Sequence, residues 1–234
     1  MTPHYRHALI IGAGSGLSAS LARLFKDKGL EVSLVARTTE KLSELATETG
    51  ARVLACDSGD HAQVVDMFRA LDIEGAPDVL VYNPSARVRG AFIEIDPQAV
   101  QAAVQVTAMG AFFAAQEAAK RMVPANHGAI LFTGASAGVK GYVRSASFAM
   151  GKFALRGMAQ SMARELHPLG VHVGHFVIDG GIRNASRPER IDAPESPDSM
   201  LCPDAIARSY WHFLEQDRSS WAWEIELRPW VETF

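Results

Sequence analysis

Cysteine is almost absent from this chain. It has two, Cys56 and Cys202, far apart and in no metal-like spacing. That excludes a disulfide framework and a thiolate metal site, and it reads as a reduced, cytoplasmic protein. No apolar run approaches the ~20 residues a membrane span needs, so no membrane is expected as partner. The opening Met1–His7 is short and polar and leads straight into a strand, so no signal peptide is expected. Charge of either sign is nearly balanced, with a net charge of -3, which gives no reason to expect nucleic acid or an acidic membrane surface. There is no repeat, no low-complexity tract, and no HExxH or CxxC arrangement. His172 and His175 stand three apart on an expected strand, which sends them to opposite faces, and His127 and His167 read as solvated.

What is present is an ordinary globular composition over 234 residues, enough to bury roughly 70–75% of the unfolded surface as one domain spanning 1–234. Short apolar runs alternate with longer amphipathic ones. Strands are expected at Ala8–Ile11, Val32–Ala36, Arg52–Cys56, Val79–Tyr82, Ala129–Thr133 and Val171–Ile178, with a seventh at Ala222–Leu227. Helices are expected at Leu17–Lys28, from a Thr39 cap to Thr49, at about Asp60–Leu71, from Pro97 to about Met122, over Ser145–His167, and after Pro203. Strand–helix alternation with near-continuous apolar strands predicts an α/β fold, a doubly wound parallel sheet with helices on both faces. Ligands in such folds bind beyond the carboxyl ends of the strands.

Four features sit at those ends. Gly12-Ala13-Gly14-Ser15-Gly16-Leu17-Ser18 joins the first strand to the first helix, where glycines admit a pyrophosphate and the helix N-terminus favours its charge. The second strand ends in Ala36-Arg37, with no carboxylate to hold a ribose 2′-hydroxyl and a guanidinium able to pair with a 2′-phosphate, which favours NADP(H) over NAD(H). Asp57 follows the third strand and Asn83 the fourth, each also readable as a plain turn residue.

The whole pattern resembles the short-chain dehydrogenase/reductase family over nearly the full chain. The family's glycine motif reads here as Gly12, Gly16 and Ser18. Its Asp after the third strand is Asp57. Its Asn-Asn-Ala-Gly reads Tyr82-Asn83-Pro84-Ser85, and its Pro-Gly beside the nicotinamide reads Asp179-Gly180. The resemblance implies the strand order 3-2-1-4-5-6-7, a nicotinamide cofactor touching Gly180 and Ile182 as well, and a small carbonyl or alcohol substrate. It also implies a homodimer through the two long helices, or a homotetramer. Consistent with that, Val100–Met122 and Ser145–Leu166 are apolar over more than one face, more than a sheet covers. Trp211, Trp221, Trp223 and Trp230 suggest a further contact, part of them being core.

The chemistry departs from the family. Lys152 matches its lysine, but the tyrosine position four residues earlier is Phe148. The serine position, thirteen before that, is Ala135, beside Ser136; the asparagine position is Thr107. Hydride transfer to a carbonyl builds an oxyanion that needs an acid and a donor. Substitutes are Ser136, Thr107, Asp179, Tyr142, Ser145, Ser147 and Tyr82, each equally readable as a structural hydroxyl or turn carboxylate. Two functions follow: an NADP(H)-dependent oxidoreductase with a degraded tetrad, or a non-catalytic NADP(H)-binding sensor or partner-binding protein. Residues 182–203, with four prolines and Arg183, Arg187 and Arg190, read as an irregular lid whose arginines would attract a carboxylate or phosphate.

Overall fold

The computed structural model describes residues 4–232; the first three residues of the polar opening stretch lie outside it. Among the described residues nine strands form: β1 (His7–Ile11), β2 (Glu31–Ala36), β3 (Arg52–Ala55), β4 (Val79–Tyr82), β5 (Gly128–Thr133), β6 (Val171–Ile178), β7 (Gly181–Ile182), β8 (Met200–Leu201) and β9 (Glu224–Leu227). Seven make one parallel sheet in the order β3-β2-β1-β4-β5-β6-β9. That is the expected sheet, with the last strand numbered nine because two short strands precede it.

The sheet is two-sided because its central strands carry apolar residues on both faces. In β1, Ala8 and Ile10 face one core and Leu9 and Ile11 the other. In β4, Val79 and Val81 divide from Leu80 and Tyr82 in the same way. Helices α1 (Leu17–Asp27), α2 (Ser43–Thr49) and α7 (Pro203–Leu214) cover the first face. Helices α3 (His61–Asp72), α5 (Gly110–Ala125) and α6 (Ala146–Leu166) cover the second, with α4 (Pro97–Val104) leading into α5. Local chemistry sets the boundaries. Asp60 caps α3 by accepting from the Ala62 and Gln63 amides, and Asp96 caps α4 from Gln98 and Ala99 with Pro97 at its start. Gly50 ends α2 in the left-handed conformation. Thr39 makes no side-chain cap, and a short 3₁₀ turn over Glu40–Leu42 opens that segment instead.

Other expectations change as well. The helix read as one piece from Pro97 is broken by a π-turn at Gln105–Met109. The Tyr82 hydroxyl donates to the Val106 carbonyl at 2.5 Å, with the Ser58 hydroxyl 3.1 Å away, so a buried phenol takes up an acceptor that a regular helix would bond internally. The stretch 182–203 is less irregular than expected: β7 and β8 pair in parallel at its base, Gly181 opposite Met200 and Ile182 opposite Leu201. His127 and His167 are partly buried rather than solvated, His127 stacked on Tyr5 and His167 bonded to the Val173 backbone. Of the tryptophans, Trp221 stacks on His172 and Trp211 packs by Phe25, while Trp230 is exposed.

Candidate active site

A single cleft of about 1050 Å³ runs across the carboxyl ends of the sheet strands, at the upper end of the range for ligand sites. Ile11, Ala36, Cys56, Asn83, Thr133 and Ile178 mark the strand ends that floor it. The parallel arrangement brings together there what the sequence spreads over more than 170 positions.

At one end is the glycine turn. Gly12 has φ +81°, and a Cβ there would run into Pro84, so the first glycine is required twice over. A Cβ at Gly14 would meet nothing, and Ser15 is exposed. Ser18, where the family pattern has a third glycine, donates to the Gly12 carbonyl at 3.0 Å and accepts from the Asn83 amide at 2.8 Å. Asn83 thus braces the turn against β4. No side chain caps α1, which leaves its first amides for a ligand. Leu17 is buried in the cleft wall. Arg37 is exposed at the end of β2 and lines the cleft, joined by Lys41, which the sequence reading did not single out. Asp57 lines it too, one carboxylate oxygen accepting from the Gly59 amide at 2.9 Å. This donor set fits a dinucleotide: the cations Arg37 and Lys41 at the end of β2, glycines and free amides at the pyrophosphate.

At the other end is Lys152. It is 2% exposed, and its ammonium donates to the Thr133 carbonyl at 2.6 Å. Burial pushes its pKa down to about 7. Phe148 lies beside it in the cleft, its ring 5.8 Å from the ammonium. Ser136 and Tyr142 also line the cleft, and the Tyr142 hydroxyl donates to the Ser136 hydroxyl at 2.8 Å. Tyr142 had been only one of several substitutes. What selects it is irregular chain between the 3₁₀ turn at Ser136–Gly138 and the turn at Tyr142–Ser145, which brings it back to Ser136, and spacing does not reveal such a path.

The other substitutes are placed differently. Thr107 is buried behind the cleft, its hydroxyl accepting from the Ala86 amide at 3.1 Å. Ser147 both accepts from Val88 N and donates to Val88 O, each at 2.9 Å, and Ser145 accepts from Arg87. Tyr82 is engaged with the π-turn. Asp179 reaches the cleft and is paired with Arg228 at 3.6 Å. Gly180, at φ +144°, packs against Leu201 and Pro229, and Ile182 lines the cleft beside it. The lid closes over the glycine turn: Ser186 and Ser15 hydroxyls are 2.8 Å apart, and Asn184 donates to Ser15 at 3.4 Å. Arg87 and Arg89, overlooked in the sequence, complete the lining. Their alternation in an extended segment after the fourth strand was the available signal.

Comparison with known proteins agrees with this geometry. Residues 6–189 match the family model for short chain dehydrogenases. The chain is 31% identical over 191 residues to the cyclic-di-GMP-binding biofilm dispersal mediator protein of Escherichia coli, covering 81% of this chain and 74% of that one. A short-chain dehydrogenase structure from Rhodopseudomonas palustris superposes with a TM-score of 0.82 at 32% identity, covering 97% of this chain and 100% of the other. The structure of BdcA in complex with NADPH superposes with a TM-score of 0.80 at 25% identity, covering 98% and 95%. With a family model spanning most of its length and the matching sheet, turn and lysine, the chain belongs to the short-chain dehydrogenase family.

Proposed function

We propose that this chain is an NADP(H)-dependent oxidoreductase that interconverts a small carbonyl compound and its alcohol, with Ser136 and Tyr142 in place of the usual serine and tyrosine. One observation carries the reading: a single cleft joins Arg37 and the glycine turn at one end to Lys152 and a hydrogen-bonded Tyr142–Ser136 pair at the other. The NADPH complex of BdcA supports the choice of cofactor.

The nicotinamide, when bound, supplies or takes the hydride at the substrate carbon. The chain's own residues manage the oxygen. In reduction, Tyr142 releases its hydroxyl proton to the oxygen that gains charge, and Ser136 holds that oxygen by a hydrogen bond. Tyr142, 42% exposed, recovers its proton from solvent. The Lys140 ammonium lies 5.6 Å from the Tyr142 ring centre and steadies the phenolate. Lys152 is held by Thr133 facing the cofactor cleft, where it is suited to a ribose hydroxyl. Asp57, Asn83, Gly180 and Ile182 shape the cofactor cleft, and Asp179 stays ion-paired. Thr107 supports the loop after β4 rather than the reacting oxygen. The chain acts as one domain, as a cytoplasmic homodimer or homotetramer, without nucleic acid or membrane.

A second reading has its own observation. Phe148 has no proton to give and fills the tyrosine position, so a protein that binds NADP(H) without turning it over fits the same cleft.

Thermal-shift titration with NADPH and NADH on wild type and Arg37→Ala tests the cofactor. Selective stabilisation by NADPH of about 2.7 kcal/mol at ~100 times Kd, lost with Arg37→Ala, is expected. No shift with either dinucleotide overturns both readings. The double change Phe148→Tyr with Ala135→Ser separates them: gain of carbonyl reduction from a silent parent favours the non-catalytic reading.

A further inference from the structure

We propose that the substrate end of the cleft is an anion subsite in which Arg87, Arg89 and Arg190 take a carboxylate or phosphate group beside the Phe148 ring. The inference rests on the proposed function only for the statement that the anion belongs to the substrate.

Three arginines from two loops converge there. Arg87 and Arg89 follow β4, and Arg190 closes the lid turn; all line the same cleft as Phe148 and Tyr142. The Arg87 guanidinium is held, and Arg190 is carried on a fixed backbone. Arg87 donates to the Ser145 hydroxyl at 2.6 Å and lies 5.0 Å over the Phe148 ring, and the reciprocal Ser147–Val88 bonds clamp the next residue. The backbone of Arg190 is fixed by a closed turn: Asn184 N to Arg190 O at 2.8 Å, Arg187 N to Asn184 O at 3.0 Å and Arg190 N to Arg187 O at 2.8 Å. Its Nη1 rests against Gly181, 2.9 Å from where a Cβ would stand.

Charge is the second observation. Several arginines elsewhere are paired with carboxylates: Arg23 with Glu48, Arg121 with Asp72 and Glu117, Arg156 with Glu224, and in this lid Arg183 with Asp192 at 3.0 Å. Among the described residues, Arg87, Arg89 and Arg190 have no such carboxylate, although Glu189 and Glu232 line the same cleft. Loss of solvent around Arg87, and then Arg89 and Arg190 themselves, pull its pKa below the usual guanidinium value. Like charges gathered in a concavity are relieved by a ligand of opposite sign, and planar guanidiniums match carboxylate and phosphate oxygens in pairs. Phe148 fits this role. The ring presents a flat face for the guanidinium and, unlike tyrosine, carries no hydroxyl to compete for it.

The test titrates pyruvate, its uncharged methyl ester and inorganic phosphate at low salt, read by melting temperature and calorimetry. The proteins are wild type, Arg37→Ala and Arg87→Gln/Arg190→Gln. Pyruvate or phosphate is expected to bind and methyl pyruvate not; which of the two binds tells carboxylate from phosphate. Binding should survive Arg37→Ala and weaken at least about tenfold in the double variant. Equal binding of the ester, loss with Arg37→Ala alone, undiminished binding in the double variant, or no anion binding overturns the subsite. NADPH titration of the same proteins reports on the cofactor separately: anion binding without NADPH binding retains the subsite and removes the redox reading. If the double variant does not fold, Arg87→Lys and Arg190→Lys keep the charge and lose the paired geometry, and each should weaken the anion several-fold.

Discussion

Lys152 is a charged residue in a place that excludes water. Its ammonium has one carbonyl partner and no carboxylate, and burial alone brings its pKa to about 7. An unfolded lysine titrates near ~10.4. Between those values the unfolded chain binds more protons than the folded one, so stability rises with pH, by up to about 1.4 kcal/mol per unit. Urea midpoints of wild type should therefore climb from pH 7.5 to 9.5 relative to those of Lys152→Met, which has nothing to titrate; parallel profiles would show that the amine keeps its charge when folded. Tyr142 belongs to the same scale. If it is the acid, Tyr142→Phe lowers kcat by about 10²–10⁴-fold while leaving the NADPH-induced melting shift intact, since the phenol lies at the substrate end. Lys152 was legible through the family resemblance, whose lysine position it fills within a regular helix. The Tyr142–Ser136 pair was not, because the backbone between them follows no period.

Among the elements, the π-turn between α4 and α5 shows tertiary contact overriding local pattern. Periodicity continues unbroken from Pro97, yet Tyr82 at the end of β4 draws out the Val106 carbonyl. The turn also buries Thr107 against Gly151, where a Cβ would stand 2.9 Å from the threonine, and so removes Thr107 from the cleft. Tyr82→Phe leaves the carbonyl without its partner and should cost about 1–3 kcal/mol in a denaturation curve. Gly110→Ala should cost at least as much, because its Cβ would collide with the Tyr82 hydroxyl and the Ser58 backbone, which cannot withdraw. A neutral Gly110→Ala would mean the helix junction is looser than this packing. The lid is a similar case. Its prolines and arginines read as irregular chain, but β7–β8 pairing and the Asn184–Arg190 turn give it a defined form that lays Ser186 on Ser15.

For the molecule as a whole, the open matter is the outer face of the long helices. Met109, Phe112, Met150 and Phe153 are 41–55% exposed on one side of the π-turn, α5 and α6, while the alanines opposite are buried. A symmetric partner would cover these side chains. Light scattering should show a dimer or tetramer for wild type, and Phe112→Glu with Phe153→Glu should shift it toward monomer; a wild-type monomer removes the oligomer from the proposal.

The sequence by itself determined a parallel sheet, because apolar runs buried on both faces alternate with helices, and the family resemblance supplied its strand order. It also pointed to one end of the sheet as the place for a cofactor. Gly12, Arg37, Asp57 and Asn83 each stand at or just past a strand's end, which has a known place in such a sheet. Only the tertiary structure decided which of the candidate hydroxyls face the cleft: Ser136 and Tyr142 do, while Thr107, Ser145 and Ser147 hold the loop after β4. It alone gathered Arg87, Arg89 and Arg190 about Phe148. The physical reason is the same in each case. A side chain in a regular element takes its direction from the element's period, whereas one in a loop takes it from whatever the rest of the chain packs against it.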